Sequence, residues 1–106
     1  MSLPRAALLA CLLAPFLLIP ARADDWAERK CALYAQAVQD ALAARGPAGL
    51  RESFLAANTR FIASGCTANM RICAATPQEY ALADMLTMMT MNEGMASTFA
   101  PFGCSD

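Results

Sequence analysis

The stretch TPQEYALADMLTMMTMNEGM, residues 76–95, decides what kind of molecule this chain makes. It opens on a helix start: Thr76 can accept from an orphan amide, Pro77 suits a first helical position that needs no N–H, and Glu79 completes a capping box. Leu82, Met85, Leu86 and Met89 then recur at spacings of three and four, which predicts a helix from Pro77 to about Asn92, with Gly94 as a weak point. Five methionines crowd residues 85–95. Thioethers are soft ligands for Cu(I) and equally adaptable core fillers, so the same residues describe a metal site or the inside of a bundle. At about 100° per residue, Met85, Met88 and Met89 share a sector with Ala81 and Leu82, as a core face does. Met88, Met91 and Met95 form a second line at i, i+3 and i+7 and are the candidate Cu(I) set. The chain has no histidine to support them. Packing is therefore the expected role, with no cofactor and no metal.

Two further helices are legible upstream. Residues 25–45 carry Cys31, Tyr34, Val38 and Leu42 at helical spacing, with Asp24, Asp25 and Glu28 at the start, where negative charge suits the helix dipole. Gly46-Pro47 ends that helix. Trp26, Leu33 and Ala37 widen its apolar arc enough to meet two neighbours. The next helix is expected over 48–64, with Leu50, Phe54, Phe61 and Ile62 inward, Arg51, Glu52 and Arg60 outward, and Gly65 as its cap. Asn58 falls within the apolar stripe and is expected as a buried amide bonded to backbone. The segment from Ala100 to Cys104 reads as an extended tail tied back to the bundle.

Residues 1–23, MSLPRAALLACLLAPFLLIPARA, have the form of a cleavable signal peptide: Arg5, an apolar run to Ile19, then Ala21-Arg22-Ala23 as the cleavage site. The run is broken by Pro15 and is short for a membrane span, which needs about 20 apolar residues. Cys11 resembles a lipid-attachment cysteine, but the apolar run continues past it. The expected mature domain is residues 24–106, with no stable membrane span after processing and a periplasmic or secreted location.

That domain keeps four cysteines, Cys31, Cys66, Cys73 and Cys104. In a small exported chain an even count reads as disulfides, and the wide spacings lack the close pairs of a zinc site. If the first two helices form an antiparallel hairpin about Gly46-Pro47, Cys31 and Cys66 come to the same end of it. Cys31–Cys66 with Cys73–Cys104 is the favoured pairing, and Cys31–Cys73 with Cys66–Cys104 competes with it. The fold class expected is all-α: a small three-helix bundle stapled by two disulfides.

Six scattered cations against nine carboxylates leave the mature domain at a net charge of −3, with no basic footprint for a nucleic acid. Without histidine there is no Ser-His or Cys-His pair. Asp84 and Glu93 read as solvated helix charges, and no glycine-rich phosphate loop is present. An enzyme is not expected. What remains is binding, most naturally of a protein partner, with Trp26, Tyr34, Asp40, Phe99 and Phe102 as candidate contact residues and Pro101 beside them.

The segment CALYAQAVQDA, residues 31–41, resembles the C-x-x-Y-x-x-G-x-x-D-A segment of small, exported, four-cysteine helical immunity proteins of type VI secretion systems. Cys73 ahead of Thr76-Pro77, and Pro101-Phe102-Gly103-Cys104 at the end, are similar in arrangement to that family. The likeness covers about a third of the mature chain, and it departs at Ala37, where the family has glycine, and at Gly103, which separates Phe102 from Cys104. What it implies is inhibition of a cell-wall-degrading effector by occlusion, without catalysis by this chain. The expected function is a non-enzymatic binding or inhibitory protein. A Cu(I)-binding protein is the alternative, and an envelope stress chaperone a third.

Overall fold

Each helix among the described residues ends on a glycine in the left-handed region, and those ends set the architecture. The computed structural model describes residues 23–104, so residues 1–22 of the expected leader, Cys11 among them, lie outside the described residues. Among the described residues there are three helices: α1 (Ala23–Arg45), α2 (Glu52–Ala63) and α3 (Pro77–Asn92). No strand forms among the described residues; one isolated parallel bridge joins Ile72 to Phe102.

α1 closes when the Gly46 amide donates to the Leu42 carbonyl at 2.8 Å. α2 closes through two bonds, from Gly65 N–H to the Ile62 carbonyl at 2.9 Å and from Cys66 N–H to the Phe61 carbonyl at 3.0 Å. That is a Schellman arrangement, which needs φ > 0 after the cap, and Gly65 supplies φ 76°. α3 ends the same way, with Gly94 N–H bonded to Met91 O and Met95 N–H to Thr90 O, both at 3.0 Å. In such an ending the residue after the glycine turns back onto the last helical turn. Met95 does so and is 5% exposed.

α2 begins four residues later than the sequence suggests. Leu50 N–H bonds to the Pro47 carbonyl, Gly49 sits at φ 78°, and Arg51 is extended at ψ 146°, so residues 47–51 form a turn rather than a first helical turn. α3 starts where expected: Thr76 Oγ1 accepts from Glu79 N–H at 3.0 Å. The other half of the capping box is rewired. Glu79 does not return to Thr76; its carboxylate accepts from Ala75 N–H at 2.8 Å and from Arg51.

The core gathers Tyr34, Ala37, Val38 and Ala41 of α1, Phe54 and Phe61 of α2, Leu82 and Leu86 of α3, Ile72 and Ala74 of the connector between α2 and α3, and Ala100 of the tail. α1 lies chiefly against α3 and touches α2 less. Two disulfides close the structure in the favoured pairing, Cys31–Cys66 with Cα atoms 5.4 Å apart and Cys73–Cys104 at 4.5 Å. Such bonds fit an oxidising compartment. No helix among the described residues is long and apolar enough to cross a membrane.

The methionines divide differently from the expected core face. Met85 and Met89 are partly buried against the core, but Met88 is 66% exposed and Met91 48%. The side of α3 that faces inward is Glu79, Leu82, Ala83, Leu86 and Thr90. Thr90 is accommodated there because its hydroxyl donates to the carbonyls of Leu86 and Thr87, at 2.9 and 3.0 Å.

Asn58 is buried as expected, but its partner is a side chain: the Tyr34 hydroxyl donates to Asn58 Oδ1. Burial pushes the Tyr34 phenol well above its ordinary range, so it stays a donor at every ordinary pH. Tyr34→Phe strands the Asn58 oxygen and is expected to cost about 1–3 kcal/mol, whereas Tyr34→Phe with Asn58→Leu removes both partners and should recover part of that loss. Chemical denaturation of wild type and the two variants checks this. A wild-type midpoint in Tyr34→Phe would show that the bond contributes nothing.

Candidate functional site

Between the connector and the tail lies an open groove of about 520 Å³. One wall is the chain from Cys66 to Arg71, the other the chain from Ser97 to Phe102, and Phe61 lies beneath. The first wall runs without regular structure from Thr67 to Arg71, and the second opens on a turn, closed by Phe99 N–H to the Ala96 carbonyl at 3.0 Å, before it reaches Pro101 and Phe102; each leaves a glycine-ended helix and is fastened by a disulfide. They are joined at one end, where Ile72 N–H donates to the Pro101 carbonyl at 2.7 Å and Gly103 N–H to the Ile72 carbonyl at 3.1 Å.

The floor is aromatic. Phe61 meets Tyr34 edge to face at 5.5 Å, and Phe99 meets both, at 6.0 Å from Tyr34 and 6.2 Å from Phe61. Phe102 stacks on Phe54 at 5.8 Å. These contacts fix the rings in the edge-to-face and stacked geometries that aromatic pairs prefer. The Lys30 ammonium lies 5.3 Å from the Phe99 ring centre and 5.9 Å from that of Trp26, joining α1 to the tail by cation–π contact.

Of the five candidate contact residues, the structure brings three to this end. Phe99 and Phe102 line the groove, and Trp26 adjoins Phe99 through Lys30, its outer ring edge 4.0 Å from where a Cβ on Gly94 would stand. Tyr34 is fully enclosed beneath Phe99, so it supports the groove and meets no partner. Asp40 lies elsewhere, beside a hollow of about 90 Å³ lined also by Gln36, Met89 and Glu93, and its carboxylate accepts from Gln36 Nε2 at 2.9 Å.

The line Met88, Met91 and Met95 is not a continuous helical stripe. α3 stops at Asn92, and Met95 is folded into the closing turn while Met88 and Met91 face outward. Among the described residues no group of three or more histidine, cysteine or acidic side chains is placed to hold a metal.

Met70, Arg71, Asn69, Ser97 and Thr98 also line the groove and carry no helical period that would mark them in the sequence. The usable signal is topological: the paired cysteines bracket the connector and fasten the tail to it. The lining combines aromatic and thioether surface, hydroxyls, one amide and a single charged side chain, Arg71. Such a set can hold and orient a ligand. A second hollow of about 470 Å³, lined by Ala27, Glu28, Cys31, Gly65 and Thr67, lies across the Cys31–Cys66 bond.

The most connected polar group is elsewhere. Glu79, wholly buried, accepts from Arg51 N–H at 2.7 Å, from Ala75 N–H, and from the Arg51 guanidinium through Nε and Nη2 at 2.9 Å each. Arg51 Nη2 also donates to the Cys73 carbonyl at 3.0 Å, and Thr76 Oγ1 to the Gly49 carbonyl at 2.6 Å. The Arg51 guanidinium foremost, against the opposing effect of burial and with the two backbone amides assisting, holds the Glu79 carboxyl down at about 2. This network fastens the start of α3 to the start of α2 and is structural.

No family model, curated protein or solved structure matches the chain.

Proposed function

We propose that this chain is an exported, non-enzymatic protein-binding domain, inhibitory in the manner of an immunity protein, and that the groove between connector and tail is its contact surface. The observation that carries the reading is the groove's construction. Phe99 and Phe102 are presented at its surface on walls that both disulfides anchor, and a rigid aromatic patch binds with little loss of side-chain freedom. The resemblance of residues 31–41 to immunity proteins supports the inhibitory role through the fold. Cys31, Tyr34, Ala37 and Ala41 of that segment are inward-facing, so it speaks to how α1 packs rather than to which surface meets a target. The expected leader and the disulfides support a periplasmic or secreted location. The Cu(I) alternative is less well supported, since its third thioether is enclosed in the turn that ends α3.

The test is native mass spectrometry of the protein purified from its export compartment, in wild type and in two surface variants. Thr98→Trp fills the groove from an exposed position, and Met88→Lys alters the outward side of α3. The expected result is a co-purified protein with wild type and with Met88→Lys, reduced at least about tenfold in Thr98→Trp, a loss of the size that blocking a central hot spot produces. Retention by Thr98→Trp with loss in Met88→Lys would move the contact surface to α3.

A further inference from the structure

We infer that the occupant of the groove is an extended peptide segment bearing a carboxylate, which pairs with Arg71 while a neighbouring apolar side chain lies against Phe99 and Phe102; this rests on the groove being the contact surface. Charge is the first argument. Arg71 is the one charged residue lining the groove, no carboxylate lines it, and among the described residues the only salt bridge is that between Arg51 and Glu79. Lys30, against the Phe99 ring, adds a second cation at the rim. The only formal charge in the groove lining is thus positive, and a ligand group of opposite sign is its complement.

Geometry is the second argument. The Arg71 side chain runs along the tail backbone, with Nη1 3.4 Å and Cδ 3.7 Å from where a Cβ on Gly103 would stand, so the absence of a side chain at Gly103 lets the guanidinium settle there. A guanidinium there offers a planar fork that fits a carboxylate through two parallel hydrogen bonds. The walls carry Asn69, Ser97 and Thr98 as donors and acceptors for main-chain groups, while the aromatic floor takes side chains. Such a trough suits an extended segment whose main chain meets the polar walls and whose side chains meet the rings.

The test uses two acetylated and amidated octapeptides, one alternating leucine and glutamate, the other leucine and lysine, titrated into the 15N-labelled mature protein. The glutamate peptide is expected to shift the amides of Met70, Arg71, Phe99 and Gly103 and to bind at least about tenfold tighter than the lysine peptide. Arg71→Glu, at an exposed position, should keep the dispersed spectrum and reverse that preference. Equal affinity for both peptides, an unchanged preference in Arg71→Glu, or shifts confined to Tyr80, Met88 and Met91 would overturn the inference. Loss of the protein partner in Thr98→Trp without any peptide sign preference would leave the groove as contact surface and remove the acidic segment alone. A peptide preference that Arg71→Glu reverses, with the partner retained by Thr98→Trp, would do the opposite.

Discussion

Glu79→Ala is expected to lower the stability of the folded domain by about 3 kcal/mol, and its thermal midpoint by about 12–24 °C for a chain of this size. The effect is large because one carboxylate serves three segments. Its removal leaves the amides of Arg51 and Ala75 without their acceptor, unfastens the Arg51 guanidinium, and opens a cavity at the first turn of α3. Arg51→Ala acts on the same network from the other side and leaves the buried carboxylate with two amides only. Because the pair functions as a unit, the two losses should not add, and the double variant should be less destabilised than their sum.

The network also sets an acid dependence. Glu79 is held at about 2 in the folded protein against an ordinary 4.5, so the folded state favours the ionised carboxylate more than the unfolded chain does. Its contribution is complete above pH 4.5 and is lost as the pH falls from there toward 2. Melting curves followed by circular dichroism between pH 7 and 2 should show the wild-type midpoint falling through that window. Glu79→Gln should lack that part of the slope, and an identical slope in the variant would show that the carboxylate is not held as described.

The second large effect concerns the disulfides, whose two bonds are not equivalent. Each closes a loop of similar length, with sequence separations of 35 and 31, and should contribute about 2–4 kcal/mol by constraining the unfolded chain. Cys31–Cys66 ties the start of α1 to the end of α2 across the core, so replacing both cysteines by serine should lower the global midpoint. Cys73–Cys104 ties the connector to the tail beside the Ile72–Phe102 bridge. Its double serine variant should keep most of its helical signal while losing hydrogen-exchange protection at the Ile72 and Gly103 amides and, with it, the shape of the groove. Full reduction should unfold the domain at ambient temperature, since the two contributions together approach the whole stability of a small domain. A reduced protein with native helical signal and an unchanged midpoint would contradict this.

Much of the fold was legible because it rests on local chemistry. Thr76-Pro77 marks the start of α3, Gly46, Gly65 and Gly94 mark the ends of the described helices, and the hairpin geometry of α1 and α2 favours the observed disulfides over one close competitor. The inward face of α3 was not legible, for a physical reason. Apolar residues surround that helix, so periodicity does not choose a face, and the two polar residues that do lie inside, Glu79 and Thr90, are satisfied by partners that sequence alone does not supply. The sequence pattern puts Met88 inward, and it lies outside. The pattern starts α2 too early because Arg51 reads as a helix-surface charge, whereas its amide and guanidinium both belong to Glu79. Of the groove, the aromatics Phe99 and Phe102 were legible as large groups near the chain end; Arg71, Asn69 and Thr98 were not, because only the pairing of connector with tail brings them to one trough.

The most direct test of the groove as contact surface is hydrogen exchange on the protein alone and in complex with the partner recovered from the export compartment. Slowed exchange is expected in residues 66–71 and 97–103 together, with the outward side of α3 from Tyr80 to Met91 unchanged. Protection confined to α3, or around Asp40, with the two walls exchanging as in the free protein, would contradict the account.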